Sequence, residues 1–492
     1  MAKWLIGMAL AATAALGWAE PNDVRYAMTF DQEAGVAKVE MRLPDGQTAT
    51  KFWMSAWIPG DYQVWDFGNT FTAIEFSKEG EPVKLSGRDG ANGFVAEGKW
   101  DTVRYTVRQS KGNFSDNLLI SPNLVFVNPA GVIGFADGNL QKPVELTVSG
   151  PVGWDFQGSI PSSNRGGIFS MQAKDHETLG DSPFLFAPEI KRSEFMVDNR
   201  KHTFVAVGNT SGVDVAAFAA VAKSAVEQTH LLIGELPYKE YTFFGLWASF
   251  PAGLEHGTSC RIGMWSRDPK QAAGIIFHEY FHSLNVKAIR PAQLRPIDPL
   301  RAPRLKTLWW LEGVTDYFAD LLQLRAGLLD KDGFLNEMNR TYQSVSRNAA
   351  YSQISAQEAS LKVWDNSGSQ GFGGVSYYTK GKLVGFLLDI SIRSATKGQK
   401  SIDDMIRRIY ADCQDGKGYA EDGFWIYYSI AMDSRHEMIP PSYTDWVETA
   451  KPIEWARMLQ SAGLADRNGR LVKSENAGEE ATAVFESFFG KG

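Results

Sequence analysis

His278-Glu279-Tyr280-Phe281-His282 sets two imidazoles four positions apart, with a carboxylate directly after the first. On an α-helix residues i and i+4 stack one turn apart on one face, so both rings can reach one metal ion while the Glu projects toward an open coordination position. Such a set suits zinc-assisted hydrolysis, with two imidazole ligands and a general base for water. Only seven His occur among 492 residues, so chance rarely produces the pattern. The alternative is a pair of core histidines on an amphipathic helix. A catalytic zinc needs a third protein ligand and leaves its fourth position to water. Thirty residues after His282, the apolar run Leu308-Trp309-Trp310-Leu311 leads into Glu312, a carboxylate that apolar surroundings penalise unless it is paired. Its alternative role is an acid at a helix start, favoured by the macrodipole. Asp316, one turn later on the same face, is placed to accept the free N–H of a metal-bound imidazole.

These residues need elements to hold them. The metal motif lies in a helical run expected over 271–285. Upstream, residues 24–207 read as short β runs, such as 103–108, 144–148 and 203–207, broken by Gly, Asn, Asp and Pro, which predicts an all-β, sandwich-like domain. The period changes near Val213 to a helical pattern reaching Ile233, stopped by Gly234 and Pro237, so a domain boundary is expected at 208–212. A strand at 241–247, a glycine-flanked stretch at 253–257, and helices from about Ala272, Thr307, Tyr377 and Ser401 follow. Ser401 and Asp404 form a plausible capping box. The expected layout is a β domain over 20–210, an α/β catalytic domain over 211–330, a helical part over 331–466, and a loose polar tail over 467–492.

Hydrophobic residues make up 44% and charged residues 22%, which is ordinary globular usage. Fifty basic against 57 acidic residues give a net charge of −7, and no dense Lys/Arg block exists, so nucleic-acid partners are excluded. Lys3, the apolar run 4–16 and Gly17-Trp18-Ala19 read as a secretory signal over 1–19, which predicts an exported, periplasmic or extracellular protein. No stretch is long and uncharged enough for a resident membrane helix, so no membrane anchor is expected. Cys260 and Cys413 are the only cysteines, and their spacing leaves open whether they pair.

At a larger scale, HEYFHSLNVKAIRP from His278 and LEGVTDYFADLLQLRAGL from Leu311 resemble the glycyl aminopeptidase family, gluzincin metallopeptidases with a thermolysin-like catalytic domain. WIPGDYQVWDF from Trp57, GLEH from Gly253 to His256, and SYYTKG from Ser376 add to the resemblance, which spans most of the chain. It implies one zinc per chain on His278, His282 and Glu312, with Glu279 as the base. It also implies that Glu255, with His256 beside it, binds the substrate's free α-amino group, and that Tyr378 donates to the oxyanion, Tyr377 being its rival for that place. The implied activity is removal of the N-terminal residue from peptides. An endopeptidase of the same clan and a non-catalytic peptide-binding protein with a structural metal are the competing readings. Family members commonly continue into a PDZ domain, and the 28 residues after Leu464 are too few for one.

Overall fold

A computed structural model describes residues 22–110, 117–248, 252–365, 374–434 and 438–489; the signal expected at 1–19 lies outside them. The N-terminal region is built of β-sheets. An eight-stranded sheet runs in the order Ser162–Arg165, Ile168–Ala173, Val144–Ser149, Val24–Asp31, Val36–Arg42, Thr102–Arg108, Phe71–Lys78, Glu81–Val83, and two four-stranded sheets accompany it. Period-two alternation explains the packing. In Thr102–Arg108, Val103, Tyr105 and Val107 are fully buried while Arg108 is exposed, because successive side chains of a strand point to opposite faces. Phe52 and Phe71 pack on Tyr105, with ring centroids 5.0 and 4.9 Å away, inside one apolar core shared by the sheets.

A five-stranded sheet follows, ordered Lys191–Val197, Arg200–Gly208, Glu240–Trp247, Ser259–Gly263, with Gly253–Glu255 at the edge. Its first two strands fall inside the stretch expected to be the β domain. Arg200–Gly208 nevertheless lies parallel to Glu240–Trp247, so these two strands belong to the five-stranded sheet. A β run carries no local mark of the sheet it will join. Here the helix Val215–Ile233 supplies the crossover that a parallel pair requires. That helix starts on the Asp214 side chain, which accepts the Ala217 N–H, and ends at Gly234 in the left-handed conformation, as capping chemistry demands.

The remaining chain is mostly helical. Pro269–Phe281 packs against Val215–Ile233 and Thr315–Arg325, and Tyr377–Ala395 and Ile402–Cys413 continue the same core. The Ser401–Asp404 capping box is formed in full. The stretch expected to be a loose tail is folded up to residue 489. Leu464–Asp466 pairs with Leu471–Lys473, and the helix Glu479–Phe488 buries Val484, Phe485 and Phe488. Those three apolar positions form a helical stripe that the polar composition around them conceals. The protein is thus multidomain, with a sandwich-like β region, an α/β unit built on the five-stranded sheet and a helical C-terminal part. Cys260 and Cys413 are buried free thiols. Among the described residues no helix is long and apolar enough to cross a membrane.

Candidate active site

The metal-motif helix begins at Pro269, capped by the Asp268 side chain on the Lys270 N–H, and runs to Phe281, with His282 still in helical conformation as its last cap. It ends short of the expected Asn285. His278 and His282 therefore keep the one-turn spacing, and their Nε2 atoms lie 3.0 Å apart. Glu312 Oε2 lies 3.5 Å from the first and 3.3 Å from the second. A tetrahedral zinc with bonds of about 2.0 to 2.1 Å has ligand–ligand edges of about 3.3 Å, so these three atoms outline one face of such a site.

Orientation comes from the far side of each ring. His278 Nδ1 donates to Asp316 Oδ1 at 2.8 Å, and His282 Nδ1 donates to the Asn285 carbonyl at 2.9 Å. Both Nε2 lone pairs are thereby turned inward. Asn285 Nδ2 in turn reaches the Trp310 carbonyl at 2.9 Å and Thr315 Oγ1 at 3.0 Å, tying the His helix to the helix that carries Glu312. Glu312 sits in a π-helical stretch, Trp309–Val314, a distortion that recurs at functional sites.

The electrostatics call for a cation. Burial opposes a charged His282, yet Glu312 and Glu255 outweigh it and hold the imidazole up at about 9. At His278 burial is likewise overcome, chiefly by Asp316. Burial alone would raise Glu312, but the two histidines keep it well below the usual carboxylate range. For Glu279 burial wins, and its carboxyl is pushed up to about 7 against the pull of both histidines. Two imidazoles among several buried carboxylates draw positive charge into the site. Donor type, spacing and charge all fit a zinc ion.

The residues expected to meet a substrate differ in their distance from this cluster. One oxygen each from Glu255 and Glu279 and one His282 nitrogen lie within 4.8 Å of one another. Glu255 Oε1 is buried, with no hydrogen-bond partner among the described residues. The edge strand Gly253–Glu255 passes so close that a Cβ on Gly253 would lie 1.9 Å from Glu279 Oε1. His256, expected beside the substrate, turns elsewhere. Its Nδ1 bonds Asp181 at 3.0 Å and its ring lines an apolar cavity of about 50 Å³ with Trp57, Ile58 and Ile297, since neighbours along an extended strand face opposite ways.

The helix Tyr377–Ala395 starts on the Ser376 side chain and meets the Glu312 stretch backbone to backbone. A Cβ on Gly313 would come within 2.4 Å of the Gly381 Cα. This contact sets Tyr378 with its ring centroid 6.1 Å from that of His278, while Tyr377 packs on Tyr378 at 4.7 Å and on Tyr62 at 6.1 Å.

The M61 N-terminal domain model matches residues 25–188, and the M61 glycyl aminopeptidase model matches residues 271–384. Together they cover more than half of the chain. The chain belongs to the M61 glycyl aminopeptidase family. It is a metallopeptidase, and the second match includes His278, Glu279, His282, Glu312 and Tyr378. Among solved structures, an aminopeptidase N family protein from Idiomarina loihiensis is similar at a TM-score of 0.81 with 22% identity, over 90% of this chain and 78% of that one. An M1 zinc metallopeptidase from Deinococcus radiodurans is similar at 0.53 with 12% identity, over 88% and 94%. At these identities the two likenesses concern the fold. No curated protein is a significant match to the chain.

Two residues of this M61 chain escaped the reading of its sequence. Asn285 is signalled only by being an amide soon after the motif in an apolar context. Tyr62, 250 positions before Glu312, donates its hydroxyl to Glu312 Oε1 at 3.1 Å. Its segment belongs to the resemblance, but nothing local tells that this phenol reaches the ligand cluster.

Proposed function

We propose that this chain is an exported, zinc-dependent aminopeptidase that hydrolyses the N-terminal bond of peptides. The observation that carries the reading is the convergence of His278 Nε2, His282 Nε2 and Glu312 Oε2 at mutual distances of 3.0 to 3.5 Å, with Glu279 and Glu255 beside them. A zinc ion on those three atoms supplies Lewis acidity for the scissile carbonyl and the attacking water. Glu279, whose burial places it near neutrality, takes a proton from the water and returns it to the departing amine. Tyr378 donates to the oxygen that becomes negative in the tetrahedral transition state. Glu255 pairs its buried oxygen, without a partner among the described residues, with the substrate's α-ammonium, which selects free N-termini. Support for export is the charged, then apolar, then small-residue pattern of residues 1–19.

One assay pair tests this reading. Wild type should cleave free peptides and spare N-acetylated ones. Glu279→Gln should keep its zinc while activity falls by about 10² to 10⁴-fold. Internal cleavage of capped peptides at comparable rates would make it an endopeptidase, and full activity in Glu279→Gln would end the assignment of the base.

A further inference from the structure

We propose that Tyr62 is a positioning residue of the metal centre, its hydroxyl holding one oxygen of Glu312 so that the other faces the two imidazoles. The inference rests on the zinc reading above. The Glu312 carboxylate divides its two oxygens between different partners. Oε2 lies 3.5 and 3.3 Å from the histidine Nε2 atoms, and Oε1 accepts the Tyr62 hydroxyl at 3.1 Å. Glu312 is only 2% exposed, so bulk water cannot take the place of that donor, and a buried oxygen left without one carries its full desolvation cost. With Oε1 held, the carboxylate cannot swing freely about its terminal bond, and Oε2 is presented alone.

The phenol is itself fixed from three sides. Its ring meets Trp364 and Tyr377 edge to face, with centroids 6.2 and 6.1 Å away. The chain just before it is anchored to the catalytic half, where Ala56 N–H donates to the Pro299 carbonyl at 2.8 Å and Trp57 Nε1 donates to the Asp298 carbonyl at 2.8 Å. Between these anchors and Tyr62, Gly60 abuts the Glu255 carboxylate so closely that a Cβ would lie 2.7 Å from Oε1. One segment of the N-terminal β region therefore touches both the third ligand and the acid proposed to bind the substrate amine. His278 takes its orienting partner, Asp316, from a neighbouring helix. Here the third ligand takes its partner from the other half of the molecule, and the two halves must dock for the site to be complete.

The test compares full-length wild type with Tyr62→Phe, Trp364→Phe and Glu312→Ala, measuring zinc dissociation by competition with a chromophoric chelator and the Tm of each metal-free protein. Tyr62→Phe keeps the ring and loses only the hydroxyl. It should bind zinc about 10 to 100-fold more weakly, while its metal-free Tm falls only slightly, by what one buried oxygen without its donor costs. Trp364→Phe removes part of one aromatic contact but keeps the Tyr377 contact and the hydroxyl, and should weaken zinc binding much less than Tyr62→Phe does. Wild-type zinc affinity in Tyr62→Phe, or an equal loss in Trp364→Phe, would overturn the inference. Glu312→Ala separates the two levels. Should it bind zinc as tightly as wild type, the ligand reading itself fails; should it release zinc while Tyr62→Phe does not, only the role of Tyr62 fails.

Discussion

The two walls of the site are built on different principles. The ligand wall is helical. His278 and His282 are one turn apart, and Asp316 is one turn beyond Glu312, so repeating backbone hydrogen bonds maintain their spacing. The opposite wall consists of the edge strand Gly253–Glu255 and the β-region segment around Gly60 and Tyr62, which nothing periodic places. There, glycines make room where carboxylates need it. Gly253 faces Glu279, and Gly60, at a φ of 99°, faces Glu255. The spacing of the proposed ligands is thus set largely by helical turns, whereas the placement of Glu255 and of the Tyr62 hydroxyl on Glu312 depends on two halves of the chain meeting.

If the walls differ in this way, shape changes at Gly253 and Gly60 should alter catalysis without disturbing the metal, Tyr62 being the strand-wall group that reaches a ligand. The largest effect is expected from Gly253→Ala. Its Cβ would lie 1.9 Å from Glu279 Oε1, so the carboxylate must move, and kcat should drop by about 10² to 10⁴-fold, as for loss of a general base. Zinc content, measured by metal analysis, should match wild type; near-normal kcat would show that Glu279 has space to retreat.

On the helical wall the pattern should reverse. Asp316→Asn weakens the acceptor of His278 Nδ1 and should reduce zinc affinity by about 10 to 100-fold, read by chelator competition. An unchanged affinity would mean that the helix alone orients the ring, without the acceptor that His282 finds in the Asn285 carbonyl.

The smallest effect is expected at Gly60. Gly60→Ala adds strain at a positive φ and a Cβ 2.7 Å from Glu255 Oε1. The preference for free over N-acetylated peptides should shrink by about tenfold, equivalent to the roughly 1.4 kcal/mol of a weakened charge-assisted bond, while zinc affinity stays as in wild type. A full preference in the variant would detach the β segment from amine recognition.

What could be read without coordinates followed the same division. Helix period and capping residues located the helices at 215–233 and 269–281, and the start of 402–413, to within a few positions, because these signals act over one or two turns. The sheet assignment of 191–208 could not be read, since strands pair across any distance and Arg200–Gly208 bonds to Glu240–Trp247. The final helix was obscured because three apolar residues in a polar stretch become a face only when a groove accepts them.

For the site itself, spacing sufficed for His278, Glu279 and His282, whose mutual geometry is a property of one helical turn. The sequence also marked Glu312 and Asp316, as acids following an apolar run. Which way each side chain points was another matter. Glu255 turns toward the catalytic cluster and His256 toward Asp181 because of how the edge strand is laid down, and Tyr62 meets Glu312 across 250 positions. Local sequence can specify relations within a turn, where the backbone repeat carries them. Relations between a strand edge, a helix and a loop from another domain arise only when packing brings their backbones into van der Waals contact, and that was decided by the tertiary structure.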